Sequence, residues 1–162
     1  MTHIVFRWIG LLLVGLGLQG ASLAQSESSS PAPAAAGLVK RLLGTVVVDR
    51  AGQRQPAVPG MVLRVGDTLR TGPASAAGIT LADDTLLTAG ADSELVITQY
   101  AFDPTTQDGN LLASLWRGTL HVVTGLIGKK APEQVKIQTR TVVLGARGTE
   151  FIVEATPALA IQ

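Results

Sequence analysis

Few side chains in this sequence are equipped for chemistry, and their positions narrow the chemistry further. It holds two histidines, His3 and His121, and no cysteine. His3 falls in the leader described below, so the processed chain would have one histidine and no cysteine, which rules out a cysteine nucleophile and any Cys-based or multi-His zinc site. His121 could enter a Ser-His-Asp arrangement, but no nucleophile motif accompanies it. Asp83-Asp84, and Asp92 with Glu94, are the candidate paired carboxylates. Adjacent Asp residues between apolar runs form turns, and no Asp-x-Asp-x-Asp-Gly calcium loop is present. Trp116 and Tyr100 have the aromatic faces a sugar would stack on, yet two aromatics on separate strands read as partial core. Arg147-Gly148-Thr149 lacks the Asp of an adhesion tripeptide and reads as a turn, with Arg147 pairing locally. The residues therefore point to no catalysis, no cofactor and no metal.

What remains is surface. In the loop from Gly125 to Pro132, Leu126 and Ile127 are followed by the basic pair Lys129 and Lys130. Apolar residues between glycines beside two lysines suit an exposed patch that docks on a partner, so these four are the expected partner-binding residues. Thirteen Lys and Arg, less Arg7 of the leader described next, balance twelve Asp and Glu. A neutral protein lacks the long-range field that would hold nucleic acid, and nucleic acid is excluded as a partner.

The N-terminus sets the compartment. Arg7 is a cationic start, residues 8–18 are an apolar run, and Ser22-Leu23-Ala24 has the small-x-small pattern of a cleavage site. Eleven helical residues would reach about 16 Å, roughly half of a ~30 Å hydrocarbon core. The expected boundaries are a signal peptide over 1–24, a Ser/Pro/Ala tether over 25–37, one domain over 38–155 and a tail over 156–162. Export to the periplasm or the medium follows, with no stable membrane insertion after cleavage.

The elements that must position everything are strands. From Leu38 the chain consists of short apolar runs at 44–48, 61–65, 78–82, 85–88, 94–100, 111–116, 119–123, 134–139, 141–144 and 149–154, separated by Gly, Pro and Asp. Period two is explicit in three of them: Leu95 and Ile97, Val135 and Ile137, and Leu120 and Val122 face inward. With 46% hydrophobic but only 4% aromatic residues, the core is aliphatic. The expected fold is all-β, a compact sandwich, roll or short β-solenoid-like domain of about ten short strands. Gly-Thr followed by an apolar strand recurs at Gly44-Thr45, Gly118-Thr119 and Gly148-Thr149, so the chain turns one kind of corner three times. Gly66-Asp67 and Thr71-Gly72 bracket another short strand as turn formers.

The order of these motifs resembles the FecR domain family of bacterial envelope proteins. It is carried by Gly44-Thr45-Val46, by Gly66-Asp67-Thr68-Leu69-Arg70-Thr71-Gly72, by Trp116-Arg117-Gly118-Thr119-Leu120, and by Ala146-Arg147-Gly148-Thr149-Glu150-Phe151. Asp83-Asp84 stands where the family usually has Asp-Gly. The resemblance implies a Gram-negative-type envelope protein whose partner is another envelope protein, in signalling or regulation. The alternatives are a structural protein that self-associates through its sheet edges, and a glycan-binding module.

Overall fold

The computed structural model describes residues 34–146 and 148–156. The leader, the tether up to residue 33, Arg147 and the tail from residue 157 lie outside them. The fold is all-β, with twelve strands in one continuous sheet that doubles back on itself. The strands are β1 (Ala35–Leu43), β2 (Val46–Arg50), β3 (Gln53–Pro56), β4 (Val62–Arg64), β5 (Thr68–Thr71), β6 (Ala76–Leu81), β7 (Leu86–Ala89), β8 (Glu94–Phe102), β9 (Gly109–Val123), β10 (Val135–Gln138), β11 (Val143–Gly145) and β12 (Glu150–Ala155). A single turn of helix, α1 (Leu126–Lys130), and a 3-10 turn at Pro132–Gln134 follow β9. Strand β1 starts at Ala35, three residues inside the expected tether: its backbone pairs with β4 on one side and β6 on the other. The count differs from ten because β1 and β3 lie outside the expected runs, the short strand bracketed by Gly66-Asp67 and Thr71-Gly72 is β5, and the runs at 111–116 and 119–123 are one strand, β9; β3 has the sequence Gln-Arg-Gln-Pro, with no aliphatic residue to mark it.

Two layers result. In layer A the order is β4-β1-β6-β7-β9-β12, and in layer B it is β3-β2-β5-β8-β9-β10-β11. Strand β9 belongs to both, pairing β8 and β10 with its first half and β7 and β12 with its second. Aliphatic residues at alternate positions of both layers, such as Ile79, Leu87 and Leu120 from A and Leu69, Leu95 and Ile137 from B, fill one core at 2% exposure or less. All pairs are antiparallel except β9–β10.

Of the places where the chain crosses from one layer to the other, four form a row: β1 to β2, β5 to β6, β7 to β8, and the bend within β9. Two crossings use Gly-Thr, and each is gripped by a serine from the neighbouring corner. The Thr45 N–H donates to Ser75 Oγ (2.9 Å), and the Thr119 N–H donates to Ser93 Oγ (3.0 Å). The Gly72 and Gly90 N–H groups donate back to the carbonyls of Thr45 and Thr119, both at 2.9 Å. Thr71 joins the two middle corners: its hydroxyl donates to the Gly90 carbonyl (2.5 Å) and accepts the Ser93 N–H (2.8 Å). The third Gly-Thr, at Gly148-Thr149, instead opens β12, and the Thr149 carbonyl accepts the Thr124 N–H.

The corner glycines are required for two separable reasons. Gly118 sits at φ +87°, and a Cβ there would press on Ser93, within 2.6 Å of its Cα. Gly66 sits at φ +91° with nothing near the added atom. Gly118→Ala is therefore expected to cost about 2–4 kcal/mol, from backbone strain and a clash that backbone must absorb. Gly66→Ala is expected to cost about 1 kcal/mol, from strain alone. Urea midpoints of the two variants check the difference.

Candidate functional site

The expected docking loop is not a loop on the surface. Ile127 is 1% exposed and packs in the core, where its Cδ1 lies against the backbone of Gly109. Leu126 is half-buried, and its N–H donates to the Asp83 carbonyl (2.7 Å). Gly125 lets this contact form, since a Cβ there would collide with the backbone of Asp83 and Asp84. Only Lys129 and Lys130 are exposed. Lys130 Nζ donates to Asp108 Oδ1 (2.7 Å) and to the Thr106 carbonyl (2.6 Å), tying down the turn between β8 and β9. The hydrogen bond from Lys130 holds the Asp108 carboxyl below the usual carboxylate range. Leu126, Ile127, Lys129 and Lys130 thus do not form one exposed patch, because the glycines around them serve close packing.

The element beneath α1 is the β6–β7 hairpin. Asp84 takes the positive φ (+65°) that the tight turn needs, so Asp does here what Gly does elsewhere. Asp83 is fully buried and acts as a hub. Its Oδ2 accepts from the Thr85 hydroxyl (2.7 Å) and the Ile127 N–H (3.4 Å), and its Oδ1 from the Tyr100 hydroxyl (3.1 Å) and the Thr85 N–H (3.3 Å). The Asp83 N–H in turn donates to Tyr100 Oη (2.9 Å). Burial, and then the Asp83 charge, push the Tyr100 hydroxyl far above the usual phenol range. Tyr100 therefore faces inward, while Trp116 is half-buried beside Arg140, Glu154 and Thr156. The two aromatics do not form a stacking pair.

The turn residues hold the frame. Asp67, 4% exposed, accepts the Arg64 N–H (2.8 Å) and a two-pronged contact from Arg50, Nε to Oδ1 (2.9 Å) and Nη2 to Oδ2 (2.6 Å). The bond to Asp67 raises the Arg50 guanidinium above its ordinary range. Arg50 Nη2 also reaches the Val62 carbonyl (2.8 Å), so one side chain fastens β2 to β4. Thr71 and Gly72 lie in the corners described above, and Arg147 lies outside the described residues. His121 points outward as expected and meets Glu150 Oε1 at 2.7 Å. The hydroxyls of Ser75 and Ser93 are engaged in their corners and do not approach it. Among the described residues, no group of three or more His, Asp or Glu is placed to hold a metal ion, and no helix is long and apolar enough to cross a membrane.

The chemistry left is that of sheet edges and faces. A sheet edge invites a new strand unless it is short, carries proline or is bulged. Edges β4 and β11 have three residues each, and β3 ends in Pro56. Strand β12 has six residues, no proline and no break in register, and among the described residues it pairs with β9 alone. The bond from the Thr124 N–H to the Thr149 carbonyl (2.8 Å) fixes which groups face out. Antiparallel pairs alternate, so Phe151, Val153 and Ala155 bond to β9, whereas Glu150, Ile152 and Glu154 aim their N–H and C=O groups at the open side.

A family model described as FecR protein matches residues 67–160, from the Asp67 turn through β12. The chain belongs to the FecR family. That family is regulatory rather than enzymatic and points to envelope signalling. No curated protein and no solved structure matches the chain. The FecR match leaves out β1 to β4, which form the outer strands on the side opposite β12.

Proposed function

We propose that this FecR-family chain is an exported, periplasmic, non-catalytic module that binds another envelope protein by taking an extended segment of it onto the open edge of β12. The observation that supports this is the outward row of Glu150, Ile152 and Glu154 backbone groups on an edge strand that, unlike the other edges among the described residues, is neither very short nor interrupted by proline, and whose charged side chains are Glu150 and Glu154. Main-chain hydrogen bonds give such an added strand its affinity, and the side chains at alternate positions give it specificity. The leader-like pattern over 1–24 and the absence of cysteine agree with life outside the cytoplasm without disulfides.

Two substitutions at Ile152 test this. Ile152→Ala removes an exposed side chain but keeps the outward N–H, whereas Ile152→Pro removes that N–H without taking a bond from the β9 ladder. Envelope proteins crosslinked to the full chain in intact cells should persist with Ile152→Ala and fall at least about tenfold with Ile152→Pro. Equal capture by both variants would mean that the edge is not the binding element.

A further inference from the structure

The sandwich is complete on one side of β9 and one strand short on the other. The corners set β7 opposite β8, β6 opposite β5 and β1 opposite β2, and the link over 57–61 sets β4 opposite β3. Strand therefore faces strand throughout that side. On its other edge β9 carries β10 and then β11 in layer B, but β12 alone in layer A among the described residues. A hollow of about 300 Å³ among Trp116, Thr139, Thr141 and Glu154 shows the ends of β10 and β12 meeting on that edge. The bend of β9 thus folds β12 opposite β10, and β11 overhangs.

The overhang leaves apolar side chains on the inner surface without cover. Leu144 of β11 is directly opposed to Ile137 of β10, and directly opposed residues of an antiparallel pair share a face. Ile137 is fully buried in the core, whereas Leu144 on the same face is 40% exposed. Val142, two residues earlier and so on that face too, is also exposed. The open backbone row of β12 bounds the gap on one side, and these two side chains roof it. A strand added to β12 would complete layer A here. Phe151 and Val153 of β12 turn their side chains to the core, so the added residues opposite them would point inward beneath β11.

We propose, resting on the β12 edge as the binding element, that this gap selects a partner segment with aliphatic residues at the two positions opposite Phe151 and Val153 and no acidic residue opposite Glu154. The two aliphatic side chains leave water beneath Leu144 and Val142, so they carry the selectivity that the main-chain bonds cannot. Charge on the outer face adds a smaller preference. Glu154 is exposed, with Arg140 lining the same hollow, and Glu150 holds His121 at 2.7 Å. A lysine opposite Glu154 gains from that carboxylate, and a glutamate there is repelled. The same carboxylates argue against a second copy as the occupant. Two β12 strands paired about a twofold axis at Ile152 would set Glu150 of each directly opposite Glu154 of the other.

The test uses the full chain in the form the expressing cell yields, with short fluorescein-labelled peptides read by anisotropy. Ser-Lys-Val-Thr-Val-Lys-Ser should bind at least about tenfold tighter than Ser-Lys-Ser-Thr-Ser-Lys-Ser, which lacks the aliphatic pair. It should bind several-fold tighter than Ser-Glu-Val-Thr-Val-Glu-Ser, which reverses the charge. Leu144→Ser, at an exposed position, should cut the preference for the aliphatic pair to less than about threefold, and Ile152→Pro should abolish binding of all three peptides. Binding that needs the Ile152 N–H but ignores Leu144 would overturn the selectivity and leave the edge standing as the binding element. Binding that survives Ile152→Pro would overturn the edge itself. Binding gained only after deletion of residues 157–162 would give the gap to the chain's own tail, and a mass of two copies that Ile152→Pro reduces to one would give it to a second copy. Either result would overturn the proposal, as would no binding of the lysine–valine peptide at about 1 mM.

Discussion

Ile127→Asp is expected to unfold the domain at room temperature. Ile127 is 1% exposed, and its side chain lies on the bare backbone of Gly109, so the new carboxylate would take the place of an aliphatic side chain in the core. Removing the buried isoleucine costs about 2–5 kcal/mol, and a carboxyl left without partners adds about 1–3 kcal/mol even when protonated. Together these approach the about 5–15 kcal/mol that holds a domain of this size. Lys129→Ala, two residues away on an exposed position, is expected to change stability by less than about 0.5 kcal/mol. Circular dichroism melts of the two variants separate the readings. A cooperative melt within a few degrees of the parent for Ile127→Asp would restore the docking role that its neighbours in sequence suggested.

The contrast within those few residues shows what local sequence can carry. Period two is a local property, so Leu95 with Ile97, Val135 with Ile137 and Leu120 with Val122 are legible as inward pairs, and all six are buried. The Gly-Thr corners are legible because positive φ needs glycine: Gly44, Gly118 and Gly148 lie at +70°, +87° and +128°. Their serine grips are not, since Ser93 reaches Thr119 from 26 residues away and Ser75 reaches Thr45 from 30. The fate of the Gly125 to Pro132 stretch is set by Asp83, 44 residues before Ile127, and by Gly109. Strand β1 is hidden for a similar reason. Ala35, Ala36 and Gly37 have poor strand propensity, and they are extended only because β4 and β6 flank them. The run over 149–154 reads as a strand, but its place at an open edge is a fact of topology that no pattern within the run records.

The same logic makes Asp83 the position where a polar substitution should do most harm. Asp83→Ala removes the acceptor for the Thr85 and Tyr100 hydroxyls and for the Ile127 N–H, all of them in the interior. Each buried donor left unmade costs about 1–3 kcal/mol, so the variant should lose about 3–5 kcal/mol. The hairpin and α1 should loosen before the rest, because the Thr85 hydroxyl and the Ile127 N–H both lose their acceptor there. Tyr100 offers a spectroscopic check, as the chain has one tyrosine. Its hydroxyl is raised well above the ordinary phenol value of about 10 by burial first and by the Asp83 charge second. A group raised in this way stabilises the fold fully below pH about 10, and that contribution is lost as pH climbs toward the folded value. The parent should therefore show no phenolate band at pH 10 until it unfolds, whereas Asp83→Ala should develop the band at lower pH, in a fold that has lost both the charge and part of the burial. An ordinary phenol titration in the folded parent would mean that Tyr100 is solvated and that Asp83 does not organise the region beneath α1.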